Sequence, residues 1–339
     1  MNPFLDKTLE PFYRESKLTF LDVGARDGIP SHWRRSRKYL RVIGFEPDKL
    51  AYEDLKSHTT LDSNDKYLQI ALSDVHGDKT FYETRSPGVS SILKPNKNFL
   101  HQFPNPERFD VLSTTNMEVK PLDLVIQEEN IQDADFIKID TQGSELSVLQ
   151  GAVESLKKLV FGIELEVEFT QLYEDQPLFS DIDQFLRDQG FILFDLRTVH
   201  WKRALGKDIG GRKGQLIFGD ALYFKSSDQF ISQCYNRKDK LLKALTICVL
   251  YGYFDYALCL CAESQQANIL SVQERDLIYK CLTKPRHLST KWPWIPGRDR
   301  LANLIWVIHD IFRSYYWAHS GSSATGHRMG NTGDSLLWG

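Results

Sequence analysis

The chain has 339 residues, a net charge of −3 and 42% hydrophobic residues, which suits one sizeable globular domain plus a smaller appendage. The acidic balance argues against a general nucleic-acid binder, which carries a basic surface. No stretch has the uninterrupted apolar length of a membrane span, and Met1 to Ser16, with Asp6, Lys7, Glu10, Arg14 and Glu15, lacks the apolar core of a signal peptide, so a cytoplasmic location is expected.

After an arm over residues 1–17 comes Leu18-Thr-Phe-Leu-Asp-Val-Gly-Ala-Arg-Asp-Gly28, an apolar run ending in an acid and a glycine turn. This is the shape of a first parallel strand that hands a nucleotide-type ligand to a tight turn and a helix N-terminus. Gly24 and Gly28 permit close backbone approach, and Asp22 at the strand end faces the ligand. A dinucleotide site reads Gly-x-Gly-x-x-Gly. Here the spacing is Asp22-x-Gly24-x-x-x-Gly28, with Arg26 in the place of a middle glycine. An acid in this turn suits a cationic or zwitterionic ligand such as a sulfonium amino acid. Taken alone, the motif reads equally well as an ordinary strand-to-turn junction.

Pro30 starts a helix whose basic stretch, Ser31 to Lys38, reads as a solvated face in preference to an anion-attracting rim. Strand two, Arg41 to Glu46, ends in an acid about twenty residues past the turn, where this class of fold holds a ribose diol. Asp48, after Pro47, caps the next helix. Strand three, Tyr67 to Leu72, delivers Ser73 and Asp74 to the adenine side. Thr80 to Glu83 is an added strand. The insertion Thr84 to Asn116, with Pro87 to Ile92, Lys94, Asn96, Asn98, His101 and Gln102, reads as a lid or as a surface loop. Phe109 to Val119 forms one or two strands.

Asp135 to Asp140 is the fourth core strand, so Asp22, Glu46 and Asp140 converge on one carboxyl rim. Glu145, in the first turn of the following helix, either favours the helix dipole or takes part in chemistry. Strand five, Phe161 to Phe169, places Glu164, Glu166 and Glu168 on one face. Burying unpaired carboxylates is costly, so these acids line a wet crevice or project beyond the sheet. A helix over Asp181 to Gln189 precedes a closing hairpin of Phe191 to Leu196 with Gly214 to Phe224. His200, Trp201, Lys202 and Arg203 lie between its strands.

Beyond Lys225 the strand patterns stop. Helices are predicted over Leu241 to Leu260 and Val272 to Leu282, then a stiff connector, Trp292 to Gly297. Leu301, Leu304, Ile305, Ile308, Ile311, Phe312 and Tyr315 make an apolar stripe, read as packing on the main domain rather than as a partner or membrane-surface helix. The five cysteines, Cys234, Cys248, Cys259, Cys261 and Cys281, lack a zinc spacing and read as reduced thiols.

Leu21 to Gly28, Gly44-Phe-Glu-Pro-Asp48, Ile70-Ala-Leu-Ser-Asp74 and, most specifically, Phe136 to Ala152 together resemble the FkbM-type methyltransferases, which use S-adenosylmethionine. Arg26 stands where many members carry Asn, and Gln142 where many carry Glu. The resemblance tips the insertion towards a lid. It implies an α/β fold, a seven-stranded Rossmann-like class I methyltransferase sheet over residues 1–225, with an α-helical extension over 226–318 and a flexible tail over 319–339. S-adenosylmethionine would be held by Asp22, Gly24, Ala25, Arg26, Gly28, Glu46, Pro47, Ser73, Asp74 and Asp140. The implied reaction is methyl transfer to a hydroxyl of a sugar or glycan, in polysaccharide or natural-product glycoside biosynthesis. Asp140 or Glu164 is the expected base, with Glu145 and His200 as further candidates. A divalent metal is compatible with these acids, but no ligand set is assigned. A non-catalytic cofactor-binding scaffold is the alternative; a nucleotide-sugar oxidoreductase would need the absent dinucleotide glycine pattern. The C-terminal helices offer a surface for self-association or a partner.

Overall fold

The computed structural model describes residues 14, 16–57, 65–209, 214–234, 237–283, 296–297, 300–301, 303–305, 307–308 and 317–320. The strands are β1 (Leu18–Val23), β2 (Leu40–Phe45), β3 (Lys66–Leu68), β4 (Ala71–Leu72), β5 (Gly77–Thr84), β6 (Val111–Lys120), β7 (Phe136–Ile139), β8 (Gly162–Glu168), β9 (Phe191–Trp201), β10 (Gln215–Lys225) and β11 (Ala318–Ser320). The helices are α1 (Lys49–Ser57), α2 (Lys97–Leu100), α3 (Leu122–Glu128), α4 (Glu145–Gln150), α5 (Val153–Lys158), α6 (Phe179–Asp188), α7 (Ser227–Gln233), α8 (Lys238–Leu250), α9 (Phe254–Gln266) and α10 (Val272–Thr283).

The main sheet has the order β11-β9-β10-β8-β7-β1-β2-β3. Strands β3, β2, β1, β7 and β8 run parallel, and β10 enters antiparallel between β8 and β9. This is the expected seven-stranded sheet, extended at its edge by β11. The order reverses between β1 and β7, so the ligand crevice of such a sheet lies outside the carboxyl ends of those two strands.

Three elements have bounds other than those expected. Strand three divides, because Ala71 and Leu72 leave β3 and pair with Val119 and Lys120 in a separate β4-β6-β5 sheet. The closing hairpin is longer than expected, and β9 continues through His200 and Trp201. The predicted helix from Leu241 to Leu260 breaks into α8 and α9 at Gly252, whose φ of 91° is open to glycine and strained for other residues.

Each face of the sheet buries its own apolar cluster. Leu21, Val23, Ile137, Ile139, Ile163, Leu165 and Val167 point towards α3, α4, α5 and α6. Phe20, Val42, Phe136, Leu222 and Phe224 face Trp33, Tyr39 and the C-terminal helices, where Leu241, Ala244, Ile247, Cys248 and Leu260 join the same cluster. The basic stretch is therefore not simply solvated, since Trp33 is fully buried. The cysteines are free thiols, with Cys259 exposed and the other four buried. Among the described residues no helix is long and apolar enough to cross a membrane. The apolar stripe does not pack as expected: Leu301, Leu304, Ile305 and Ile308 are exposed, while Ile311, Phe312 and Tyr315 lie outside the described residues. Most of the connector and all of the chain beyond β11 also lie outside them.

A buried charge cluster fastens α8 to the sheet. Lys240 meets Asp135 at 3.1 Å and Asp133 more closely, and Lys243 reaches Asp133 at 3.0 Å and Asp135 at 3.2 Å. Asp135 also accepts the Thr19 N–H at 2.8 Å, which ties the cluster to β1. Burial pushes the Asp133 carboxyl up, but the two ammonium groups more than reverse this and hold it below its ordinary value. Removing one member leaves a buried charge underpaired, so Lys240→Met is expected to cost about 3 kcal/mol of unfolding free energy. Guanidinium denaturation of the variant beside wild type measures it, and an unchanged midpoint would contradict the role of the cluster.

Candidate active site

The first turn is shaped by a contact that leaves no space for a side chain. Gly24 has φ 76°, and a Cβ built on it would stand 2.0 Å from the carbonyl oxygen of Asp140. The Asp140 N–H donates to the Val23 carbonyl at 3.0 Å, so β1 and β7 leave the sheet joined. Gly24 and Ala25 both donate to the Phe45 carbonyl, at 3.0 and 3.1 Å, which brings in the end of β2. Gly28, with φ 66°, closes the turn by donating to Ala25 at 2.8 Å. Arg26 pairs with Asp48 at 3.3 Å, and Glu46 accepts the Asp48 N–H at 2.9 Å. Burial raises the Glu46 carboxyl above its ordinary value, against this hydrogen bond and Arg26.

A cleft of about 790 Å³, counting its open mouth, lies over these strand ends. Gly24, Arg26, Glu46 and Pro47 form one wall, and Asp140, Thr141, Gln142 and Ser144 another. Ile70, Ala71, Leu72, Phe81 and Met117 supply an apolar end. Pro87, Gly88, Ser90, Ser91 and Ile92, from the insertion, also line it, and Ser91 donates to the Gln142 carbonyl at 2.8 Å. That part of the insertion sits where a lid would. Its later part is anchored elsewhere, Lys94 by Glu174 at 2.8 Å and Asn96 by the Gln171 carbonyl at 3.1 Å.

The acids divide by setting. Asp140 lines the cleft with 41% of its side chain exposed, accepts from Gln142 at 2.8 Å and lies 3.5 Å from Lys138. Glu145 is buried and accepts from the Thr141 N–H at 2.8 Å, its hydroxyl at 3.0 Å and the Gly143 N–H at 3.2 Å. It orders the loop after β7. Glu164 is buried, accepts the Tyr251 hydroxyl at 2.5 Å and lies 3.5 Å from His32. Burial opposes its charge, but His32 and Tyr251 outweigh burial and hold the carboxyl below its ordinary value, which weakens it as a base. Neither lines the cleft. His200 pairs with Leu216 and His319 near the sheet edge, three strands from β7, or roughly 14 Å at ordinary strand spacing. The catalytic candidates Glu164, Glu145 and His200 are thus displaced from the cleft by their packing. Of the expected cofactor residues, Asp22, Ala25, Gly28, Ser73 and Asp74 do not line the cleft: Asp22 and Ala25 are fully buried, Gly28 closes the turn, Ser73 donates to Asp74 at 2.8 Å, and Lys79 bonds both.

Sequence reasoning gave no role to Lys138 or Gln142. Gln142, with φ 57°, bridges Asp140 to Glu166 at 3.3 Å. The signal in the sequence was that Gln142 stands, in the turn after a strand-end acid, where many similar proteins carry Glu. Among the described residues no group of three or more His, Cys, Asp or Glu side chains is arranged to hold a metal ion.

The profile of the methyltransferase FkbM domain matches residues 22–193, just over half of the chain. The chain belongs to the FkbM methyltransferase family. It is 28% identical over 193 residues to methyltransferase sdnD of Sordaria araneosa, covering 50% of this chain and 72% of that protein. It is 29% identical over 171 residues to the 2-O-methyltransferase NoeI of Sinorhizobium fredii, covering 48% and 69%. A crystal structure of methyltransferase FkbM from Methylobacillus flagellatus superposes with a TM-score of 0.37 at 17% identity, over 62% of this chain and 44% of that one. This FkbM protein is an S-adenosylmethionine-dependent methyltransferase. The residues fit that cofactor. Asp22 is fully buried, yet neither of its carboxylate oxygens has a hydrogen-bond partner among the described residues. Gly24 forms a cradle that any side chain would fill.

Gly24→Ala combines a left-handed backbone with a collision against backbone. It is expected to lose about 2 kcal/mol of stability and most affinity for S-adenosylhomocysteine, read by thermal unfolding and calorimetry. Full retention of both would contradict the described turn.

Glu168 is completely buried, and neither oxygen finds a hydrogen-bond partner among the described residues. Burial first, and then Glu145, push its carboxyl well above the ordinary range; burial and Asp140 do the same for half-buried Glu166. A raised folded value means that the native state binds the proton more tightly than the unfolded chain does. Stability from these groups is therefore present at low pH and declines as pH rises above the unfolded carboxyl value. The protein is expected to melt a few degrees higher at pH 5.5 than at pH 7.5, with Glu168→Gln narrowing the gap. An unchanged gap in the variant would remove Glu168 from the explanation.

Proposed function

We propose that this FkbM protein transfers a methyl group from S-adenosylmethionine to a hydroxyl oxygen of a sugar or glycan, with Asp140 as the base. The observation that carries this is that Asp140, alone among the catalytic candidates Asp140, Glu164, Glu145 and His200, lines the cleft. The name of the related 2-O-methyltransferase speaks for oxygen as the acceptor atom. The glycan, and with it a role in polysaccharide or glycoside biosynthesis, rests on the family resemblance alone.

In this reading Asp22 and the Gly24–Gly28 turn hold the amino-acid end of the cofactor, and Glu46 holds the ribose diol. The apolar end at Ile70, Ala71, Leu72, Phe81 and Met117 takes the adenine, in place of Ser73 and Asp74. When bound, the cofactor supplies an electrophilic methyl on its sulfonium. The protein aligns the acceptor hydroxyl with it, and Asp140 takes up the hydroxyl proton. A carboxylate is a weak base for an alkyl hydroxyl, so orientation does much of the work. Gln142 and Lys138 fix the Asp140 carboxylate from two sides, and Pro87 to Ile92 screen the site from water.

Asp140→Asn is expected to lower turnover by ~10²–10⁴-fold while S-adenosylhomocysteine affinity stays within a few-fold of wild type. The assay follows S-adenosylhomocysteine release over a panel of glycans and glycosides. Wild-type turnover in the variant would remove Asp140 as the base. A wild-type protein that binds the cofactor and methylates no member of the panel would favour the scaffold reading.

A further inference from the structure

A central parallel strand is ordinarily apolar along its length, yet β7 carries Lys138 between Phe136 and Asp140 on the face shared with Asp22. Lys138 lies beside Asp22 on β1 and Glu164 on β8. Its side chain is only 15% exposed. The ammonium donates to the Gly24 carbonyl at 3.3 Å, stands 3.6 Å from Asp22 and lies 3.5 Å from Asp140. The 3.6 Å separation is an ion pair without a hydrogen bond, so the lone pairs of Asp22 are not consumed by Lys138. A buried cation thus sits behind a fully buried carboxylate that lacks a hydrogen-bonding partner among the described residues, and it is tied to the same glycine turn.

We infer that Lys138 is a positioning residue, the counter-charge that holds Asp22 as a carboxylate for the ammonium group of the cofactor. The inference rests on the reading that Asp22 meets the amino-acid end of S-adenosylmethionine. An ammonium needs an anionic acceptor, and a carboxyl buried among other carboxylates gives up its charge unless a cation faces it. The groups facing Asp22 are Lys138 and Asp140 from β7 and its exit, Glu46 from the end of β2 and Tyr67 from β3. Burial raises the Asp22 carboxyl, Lys138 pulls it back down, and Asp140 and Glu46 add to the rise, which together leave it at about 6. Asp22 is therefore mostly ionised at neutral pH. With Lys138 gone, every remaining influence drives it towards the neutral acid, a rise of roughly 1–3 units for the loss of an adjacent opposite charge.

The test is calorimetric binding of S-adenosylhomocysteine between pH 5.5 and 9. This probe keeps the ammonium and lacks the sulfonium, so the amino-acid end is read by itself. Wild-type affinity is expected to rise as pH passes 6. Lys138→Met is expected to bind about tenfold more weakly at pH 7 and to recover towards pH 9, because its midpoint has moved upward. Lys138→Arg, which keeps the charge, is expected to hold the wild-type midpoint. Asp22→Asn is expected to bind weakly without the step near pH 6. Asp22→Asn with Lys138→Met removes both buried charges and is expected to match Asp22→Asn alone, since the effect of Lys138 on cofactor affinity runs through Asp22. This comparison decides the matter even if Lys138→Met by itself does not fold. A further loss in the double variant would mean that Lys138 supports the cofactor by a route other than Asp22, directly or through Gly24 or Asp140, and would overturn the inference. So would a Lys138→Met profile with the wild-type midpoint. Wild-type affinity in Asp22→Asn would instead overturn the underlying reading of Asp22.

Discussion

At Gly24 two strand ends are pressed together with no space for a side chain between them. The turn after β1 rests on the carbonyl of Asp140, and Asp140 in turn donates back to Val23. Because Gly24 and Ala25 also share the carbonyl of Phe45, the exit of β2 is held in the same arrangement. The positions of Asp22, Glu46 and Asp140 are therefore one geometric fact rather than three. The cleft, the proposed cofactor turn and the proposed base all depend on a backbone contact that only glycine allows here.

The two faces of the sheet meet different demands. One is a dry packing surface built by alternate residues of β1, β7 and β8. The other must be apolar under the C-terminal helices and charged near the crevice. Tyr251, at the end of α8, marks the boundary: it accepts from Trp33 at 3.0 Å and donates to Glu164. Glu164 is thus part of the junction between sheet and helical extension, and Lys240 and Lys243 fasten the same helix further along. Acids that look alike along β7, β8 and α4 acquire separate roles from what surrounds them. Asp140 is open to the cleft, Glu145 orders a loop, Glu164 is locked by a tyrosine, and Glu168 is buried with a raised carboxyl.

The parts legible in the sequence were those governed by local backbone chemistry. An apolar run, a terminal acid and a glycine turn announced β1, and the strand-end rule placed Asp140 on the rim. Period-two alternation correctly put Glu164, Glu166 and Glu168 on one face. It could not say what packs on that face, because Tyr251 arrives from far along the chain. The same limit hid Lys138, whose charge is visible in the sequence while its partners come from β1 and the Gly24 turn. His200 was misplaced because the hairpin strand runs to Trp201, where a loop had been expected. Ser73 and Asp74 missed the cleft because Ala71 and Leu72 turn away to pair with β6, leaving the apolar residues before them on the wall.

The most direct test of the account is a crystal structure of the protein with S-adenosylhomocysteine bound. The amino-acid end of the ligand is expected at the Gly24 turn beside Asp22, the ribose at Glu46 and the adenine against Ile70, Leu72 and Phe81, with Asp140 facing the sulfur end. A ligand bound with its ribose away from Glu46, or outside this cleft altogether, would contradict it.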